Sequence, residues 1–164
     1  MASSRTDTIL QQAGVIAYRV VDEKIQVLLV TSRETARWII PRGNIAAGST
    51  PAQSAKREAL EEAGLKGVIA GSIPLGMYTY FKRQPSGEDR AATVEVFLLR
   101  VKEQVKKWPE RRQRKCAWVS LAEAVRIIEE PGVVPLLNRL AEFEDSLVHP
   151  MAASSPELLG DPPD

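Results

Sequence analysis

Residues 43–65 read GNIAAGSTPAQSAKREALEEAGL, and this stretch carries the strongest structural signal in the chain. Thr50 is followed by Pro51 and, three positions on, by Gln53, a pattern typical of a capped helix start with proline in the first turn. Gly64 is a typical residue just beyond the end of a helix. The pattern therefore predicts a helix of about four turns between Thr50 and Gly64.

Three glutamates lie close together on this predicted helix: Glu58, Glu61 and Glu62. Separations of three and four residues from Glu58 put them on one helical face, with Arg57 four positions before Glu61. Like charges at that spacing repel, so the cluster is unfavourable unless a cation lies against it. Mg²⁺ prefers oxygen ligands and is commonly shared between carboxylates and substrate phosphates. Glutamates on a helix more often form a solvated surface than a metal site. The flanking residues therefore decide between these two interpretations.

The whole stretch resembles the Nudix box, whose pattern is G-x5-E-x7-R-E-U-x-E-E-x-G-U, where U is a bulky aliphatic residue. The chain matches this pattern in register at Gly43, Arg57, Glu58, Glu61, Glu62, Gly64 and Leu65. Ser49 replaces the first glutamate, and Ala59 fills the first aliphatic position. In that family the first glutamate often holds the arginine, here Arg57, or supports the metals. The resemblance thus implies that Ser49 weakens positioning while the principal ligands remain.

The resemblance implies an α/β fold, a Nudix α/β/α sandwich around a mixed β-sheet. It implies Mg²⁺, with Mn²⁺ as a substitute, held by the three glutamates and by the carbonyl of Gly43. The implied reaction is hydrolysis of a phosphoanhydride bond by in-line attack of a metal-activated water. The implied catalytic set is Arg57, Glu58, Glu61 and Glu62. Glu62 or Glu58 is favoured as general base, and Glu95 on its strand is an alternative that the sequence leaves open.

Shorter segments, at 31–33, 38–43, 76–82 and 114–118, are similar to the diphosphoinositol-polyphosphate and diadenosine-polyphosphate phosphohydrolases. They favour a small-molecule substrate with many phosphates. Cationic side chains that bind phosphate oxygens are the candidate contacts, namely Arg33, Arg42, Lys82 and Arg114. Trp38, near the turn at Pro41, is a candidate to stack on a base. The alternative is that these cations are ordinary surface charges and that Trp38, like Tyr78 and Tyr80, has a packing role.

Three substrate versions stay open: dinucleoside polyphosphates, diphosphoinositol polyphosphates and a broad set of nucleotides. A non-enzymatic alternative is a polyphosphate or RNA sensor left by the altered box. The segment Lys102–Lys115 is rich in basic residues, but Trp108 and Trp118 are too few aromatics for a stacking platform, so nucleic acid is not an expected partner. Because all three box glutamates remain, hydrolysis is the leading hypothesis.

Length and composition predict one domain from the 164 residues. We expect a flexible N-terminus over 1–10, a Nudix domain over 11–147 and a proline-rich flexible tail over 148–164. The formal net charge is +1, so any anion site has to be local. Cys116 is the single cysteine, and no signal peptide or membrane-spanning run is evident, so we expect a cytoplasmic protein with no membrane partner. The oligomeric state is not predicted.

Outside the box the sequence alternates between strand-like and helix-like segments. A hairpin is predicted from Gly14–Val20 and Ile25–Thr31, and a short strand is predicted to end at Pro41, followed by a loop. Glycines and a proline divide Val68–Phe81 into one bent strand or two strands. The remaining predictions are strands at Ala92–Val101 and Cys116–Val119 and helices at Leu121–Glu129 and Val134–Leu147.

Overall fold

One mixed sheet organises residues 8–150, the part of the chain that the computed structural model describes. Its strands are β1 (Leu10–Val21), β2 (Lys24–Thr31), β3 (Trp38–Ile39), β4 (Arg42–Asn44), β5 (Leu65–Ile69), β6 (Gly76–Arg83), β7 (Asp89–Gln104) and β8 (Cys116–Ser120). The helices are α1 (Pro51–Ala63), α2 (Leu121–Ile127), α3 (Val134–Glu142) and α4 (Glu144–Val148), with a 3₁₀ turn at Pro131–Val133 between α2 and α3.

The strand order is β3-β2-β1-β7-β5, with β4 paired to β1, β6 to β7 and β8 to β2. The long central strands β1 and β7 run parallel, and every other pairing is antiparallel. The predicted mixed sheet is therefore confirmed. A parallel pair needs a crossover connection, which here contains α1.

Helices cover both faces of the sheet and bury two separate cores. On one face the alanines of α1 (Ala55, Ala59 and Ala63) pack against strand residues such as Phe97 and Leu99. On the other face, α2 and α3 contribute the leucine-rich layer that includes Leu121, Leu137 and Leu140. The small alanine side chains let α1 approach the sheet closely. The layers form the predicted α/β/α sandwich.

Local sequence signals identified most of the elements correctly. The predicted hairpin is confirmed as β1 and β2, whose tight turn places Asp22 and Glu23 at positive φ. The segment Val68–Phe81 divides between two strands, β5 and β6, rather than one bent strand. Two strands are longer than predicted: β1 starts at Leu10, and β7 extends from Asp89 to Gln104.

Two predictions were wrong, one of a loop and one of an uninterrupted helix. The loop expected after Pro41 contains β4, which pairs with β1 through Gly14↔Arg42 and Gln12↔Asn44. The helix expected over Val134–Leu147 is interrupted at Phe143, where φ is −102° and ψ is 3°. Strand β4 depends on its pairing with a distant part of the chain, which local periodicity does not report.

The predicted flexible ends, 1–10 and 148–164, include residues 1–7 and 151–164, which lie outside the described residues. The proposed domain limits therefore stay a prediction. Within residues 8–150, no helix is long and apolar enough to cross a membrane.

Candidate active site

A cleft of about 500 Å³ opens at one end of the sheet. One wall is acidic and contains Glu58, Glu61 and Glu62 of α1, together with Glu110 from the segment after β7. Six cations also line the cleft, namely Arg33, Arg37, Arg42, Lys82, Arg83 and Arg114. The cleft therefore brings carboxylates and positive charges together in one space.

Helix α1 holds its glutamates in place because both of its ends are fixed. At its start, the Thr50 side chain accepts a hydrogen bond from the Gln53 backbone N–H, and the Gln53 side-chain oxygen accepts one from the Thr50 backbone N–H, as the capping-box pattern predicted. At its end, Gly64 adopts a left-handed conformation with φ of 71°. The predicted helix and its stop are confirmed.

The end of β7 and the segment that follows it bind the last carbonyls of α1, which have no partner within the helix. The Trp108 indole N–H donates to the Glu62 carbonyl at 3.2 Å, and the Glu110 backbone N–H donates to the Glu61 carbonyl at 3.0 Å. The Gln104 side chain donates to Ala63 at 2.9 Å. The end of α1 that carries the glutamates is thus tied to the loop that carries Glu110.

Glu62 is almost fully buried, with 4% of its surface exposed. Its Oε1 accepts a hydrogen bond from the Arg42 backbone N–H at 3.3 Å, and its Oε2 lies 3.6 Å from Arg114 Nη2. Burial raises the pKa of Glu62 well above its usual value, while Arg114 opposes the shift and Glu58 adds to it. Glu62 is therefore a carboxyl group that favours its proton in the absence of another cation.

Glu58 and Glu62 are one helical turn apart on α1, and both side chains line the cleft. Burial raises the pKa of Glu58, and Glu61 reinforces that shift. Gly43 is pressed against this carboxylate, because a Cβ at position 43 would lie 2.3–2.6 Å from the Glu58 carboxylate atoms. Glycine at position 43 is thus what leaves room for the acid.

The fit of a divalent cation rests on this crowded acidic pair and on the glycine beside it. Within residues 8–150, no group of three carboxylate, histidine or cysteine side chains is arranged to hold a metal by itself. Mg²⁺ does not require such a cage, since it commonly takes one or two carboxylates and completes its shell with water and substrate phosphates. Glu58 and Glu62 provide two carboxylates held near each other, so these residues fit Mg²⁺.

Glu61 and Arg57 form the exposed side of the acidic wall. Arg57 Nε lies 3.8 Å from Glu61, and its Nη2 lies 4.0 Å from Glu58. Arg57 thus pairs with box glutamates, while the Ser49 backbone closes a turn with Ala46. The alternative base Glu95 is half-buried and is not among the residues that line the cleft.

The predicted phosphate contacts occupy different environments. Arg33 has 55% of its side chain exposed and Lys82 is exposed at the end of β6. Arg114 is only 8% exposed and binds Glu110 at 2.7 Å and the Thr31 carbonyl at 3.0 Å. The guanidinium of Arg42 pairs with Glu130. All four line the cleft, but Arg33 and Lys82 are the more exposed ones.

Trp38 lies apart from these residues. It packs against the core on the α2 side of the sheet and is not among the residues that line the cleft. Its predicted stacking on a base therefore stays a prediction. Tyr78 and Tyr80, to which packing was assigned, have hydroxyl groups that bind Glu130 and Gln12 respectively.

Sequence reasoning missed Glu110, Arg37 and Glu130 as parts of this region. Glu110 is an acid within the basic segment Lys102–Lys115, and that interruption of the basic run was the available signal. Glu110 and Arg114 of this segment both line the cleft. Nothing in the local sequence marks Glu130.

Comparison with known proteins gives a consistent result. The NUDIX domain model matches residues 10–140. Nudix hydrolase 12, mitochondrial, of Arabidopsis thaliana is 30% identical over 151 residues, which cover 85% of this chain and 74% of that protein. Diphosphoinositol polyphosphate phosphohydrolase 3-alpha of Mus musculus is 30% identical over 121 residues, covering 73% and 69% respectively.

Solved structures share the fold. The crystal structure of a C. elegans Ap4A hydrolase binary complex aligns with a TM-score of 0.62 and 24% sequence identity, covering 82% of this chain and 97% of that one. A NUDIX hydrolase from Nitrosomonas europaea aligns with a TM-score of 0.64 and 19% identity, covering 84% and 91%. At these identities the likeness concerns the fold alone.

Proposed function

This chain belongs to the Nudix hydrolase family, and on that premise we propose that it uses Mg²⁺ to hydrolyse a phosphoanhydride bond in a small polyphosphate substrate. The observation that carries the proposal is the cleft itself, in which Glu58, Glu61, Glu62 and Glu110 share one space with cationic side chains. A polyphosphate brings negative charge that the cations attract and that the acidic wall would repel without a metal. Such a cleft suits a metal–polyphosphate complex better than either component alone.

Different residues of the cleft would bind the cation and the substrate phosphates. Glu58 and Glu62 would hold the divalent cation, with Glu61 and the Gly43 backbone beside them. When bound, that cation neutralises phosphate oxygens and lowers the pKa of water. Arg33 and Lys82 bind the outer phosphates from the exposed rim, where Arg37 adds a further positive charge.

The reaction needs a group that accepts a proton from the attacking water. As water attacks phosphorus in line, the bond from phosphorus to the bridging oxygen breaks and the proton passes to a carboxylate. One carboxylate of the Glu58–Glu62 pair is the preferred acceptor, because both side chains line the cleft in which the attacking water would lie. Glu95 lies outside the cleft lining, which favours the pair further.

Two substrate classes have support from relatives. The mouse protein named above is called a diphosphoinositol polyphosphate phosphohydrolase, and the C. elegans protein is called an Ap4A hydrolase. Both classes carry several phosphates, which agrees with the spread of cations around the cleft. A broad nucleotide substrate range and a sensor that binds without turnover are the competing proposals.

A substrate panel with Mg²⁺ or Mn²⁺ tests the proposal. The panel contains diadenosine tetraphosphate, nucleoside triphosphates, ADP-ribose and a diphosphoinositol phosphate, and product release is measured for each. We expect turnover of a polyphosphate member by the wild type and a loss of orders of magnitude in kcat for Glu58→Gln and for Glu62→Gln.

The matched control is Glu103→Gln, which removes the same charge from an exposed residue outside the cleft. Its kcat should equal that of the wild type. Full activity in both box variants would remove the mechanism. Tight binding of a polyphosphate with no turnover by the wild type would favour the sensor.

A further inference from the structure

A buried ion pair links the cleft to the opposite side of the sheet. Arg42 Nη2 lies 2.5 Å from Glu130 Oε2, and Arg42 Nε donates to Glu130 Oε1 at 3.3 Å. The two side chains are 13% and 4% exposed. A carboxylate this deeply buried is costly unless it is paired and hydrogen-bonded, so the pair fixes both partners.

Aromatic residues of β6 complete the setting of this pair. The Tyr78 hydroxyl donates to Glu130 Oε1 at 2.7 Å and accepts from Arg42 Nε at 3.1 Å. The Arg42 guanidinium also lies over the Tyr80 ring, 3.9 Å from its centre. With a carboxylate, a hydroxyl and a ring around it, the guanidinium has little rotational freedom.

The backbone of Arg42 contacts the acidic pair directly. Its N–H donates to Glu62 Oε1 at 3.3 Å, and the next residue, Gly43, lies against the Glu58 carboxylate. Whatever fixes the side chain of residue 42 therefore also fixes the backbone that contacts both glutamates. A displacement of about 1 Å in such a site costs activity on the order of 100-fold.

Glu130 is itself held by its neighbours. Glu129 and Trp38 exchange two hydrogen bonds, one between the Glu129 backbone N–H and the Trp38 carbonyl and one from the Trp38 backbone N–H to the Glu129 carboxylate, both at 2.9 Å. In the following 3₁₀ turn, a Cβ at Gly132 would lie 2.7 Å from the Tyr78 Cβ, so the turn packs tightly on β6. Glu130 thus projects from a fixed junction between α2 and the turn.

We propose that Glu130 is a positioning residue of the active site: through its ion pair with Arg42 it sets the backbone of residues 42 and 43 against Glu62 and Glu58. In this assignment Arg42 serves the acidic wall, and its predicted contact with substrate phosphate is secondary. A guanidinium already neutralised by a buried carboxylate has less charge to offer a phosphate than Arg33 at the rim. The inference rests on the proposed function, since the geometry being set is that of the hydrolytic site.

The test compares Glu130→Gln with Glu142→Gln. Both replace a carboxylate by an amide of equal size, but Glu142 is an exposed residue of α3 that does not line the cleft, and only Glu130 contacts Arg42. We measure kcat and KM separately and titrate Mg²⁺ into the substrate-free proteins by calorimetry. The expected result for Glu130→Gln is a kcat lower by about 10- to 100-fold, weaker Mg²⁺ binding and a KM within about twofold of the wild type. Glu142→Gln should match the wild type in all three.

Arg42→Lys and Tyr78→Phe are the supporting variants. Arg42→Lys keeps the charge and Tyr78→Phe keeps the ring, but each removes part of the hydrogen bonding around Glu130, so each should lower kcat rather than raise KM. The double variant Arg42→Lys/Glu130→Gln should lose no more kcat than Glu130→Gln alone. If Glu130→Gln does not fold, the kcat and KM of Tyr78→Phe decide whether the network around Glu130 has a positioning role. A raised KM at unchanged kcat for Arg42→Lys, with Glu130→Gln equal to wild type, would overturn the proposal in favour of a substrate contact.

The two proposals can fail separately. If the wild type turns over a substrate and Glu130→Gln keeps both its kcat and its Mg²⁺ affinity, the positioning role is overturned and the hydrolase stands. If the wild type turns over no member of the panel, the proposed function fails, and the Mg²⁺ titrations still decide the positioning role. Equal Mg²⁺ affinity in Glu130→Gln and wild type would then overturn it.

Discussion

At the scale of single residues, the carboxylates of the acidic wall are costly to the free energy of folding when no cation is bound. Glu58 and Glu62 lie next to each other in a half-buried to buried setting, and the burial that raises the pKa of each one is the cost of removing a carboxylate from water. Arg114 offsets part of this cost for Glu62. A protein that keeps such a pair does so for what the pair binds, which predicts a measurable trade between stability and activity.

Glu58→Gln should make the metal-free protein more stable at neutral pH while it removes activity. Because burial raises the pKa of Glu58 in the folded state above its value in the unfolded chain, the folded state binds this proton more tightly. Stability is therefore greatest below the unfolded-state pKa and declines as the pH rises through the folded-state pKa. The amide cannot ionise, so we expect a melting temperature a few degrees higher than that of the wild type at pH 7.

Thermal unfolding across pH checks this expectation. The difference should shrink as the pH falls to about 4, the usual range for glutamate. Mg²⁺ should stabilise the wild type more than the variant, because a ligand stabilises the state that binds it. Glu103→Gln, at an exposed position, should show no gain. A metal-free Glu58→Gln that melts below the wild type at pH 7 would contradict the argument.

The predictability of the site follows from the distances between partners along the chain. Glu58, Glu61 and Glu62 are neighbours on one helix, so their spacing alone revealed a shared face. Arg42, by contrast, finds its partners 36 and 88 residues away, in Tyr78 and Glu130. No local pattern encodes such contacts, and the sequence therefore indicated a cation at position 42 without its partner.

At the scale of secondary-structure elements, the contacts at the end of helix α1 hold its glutamates in the cleft. Its last turn carries Glu61 and Glu62, and the loop that includes Trp108 binds their carbonyls. Gly64 allows both the left-handed turn and the close approach of the Trp108 ring, since a Cβ at position 64 would lie 2.3 Å from that ring. The end of α1 is consequently sensitive to a single methyl group.

Gly64→Ala should destabilise the protein more than Gly48→Ala. Both glycines have positive φ, 71° and 80°, so alanine is strained by about 1 kcal/mol at either position. A Cβ at Gly48 would meet no atom within 4 Å, whereas one at Gly64 collides with Trp108 and adds about 1–3 kcal/mol of overpacking. Urea unfolding of the two variants measures the difference. Equal losses would show that Trp108 yields without cost.

Elements with local signals were predictable, and elements defined by pairing were not. Helix α1 has its cap, its first-turn proline and its terminal glycine within residues 50–64, so its limits follow from sequence. Strand β4 has three residues and exists because it pairs with β1. The interruption at Phe143 has no proline or glycine to mark it. A tertiary contact therefore decided the case of β4.

At the scale of the whole molecule, the formal net charge of +1 gives little long-range attraction for a polyanion. The fold compensates by bringing cations from separate elements to one end of the sheet. Arg33 follows β2, Lys82 lies near the end of β6 and Arg114 precedes β8. We therefore expect attraction for a polyanionic substrate to depend on the location of these cations and not on the total charge.

Location can be separated from total charge by comparing variants that change the charge equally. Arg33→Gln and Lys82→Gln each remove one positive charge at the cleft, and Lys24→Gln removes one at the far end of β2, about 23 Å away along the strand. Because screening at physiological salt acts over about 8 Å, only the cleft variants should raise the KM for a polyphosphate substrate. A charge pair at 4 Å in water contributes about 1 kcal/mol, which corresponds to a rise in KM of roughly fivefold per variant. Measured against ionic strength, the difference from wild type should narrow as salt is added, with kcat unchanged throughout. An equal rise in KM for Lys24→Gln would mean that the total charge draws in the substrate, and that the grouping of cations at the cleft has no part in binding it.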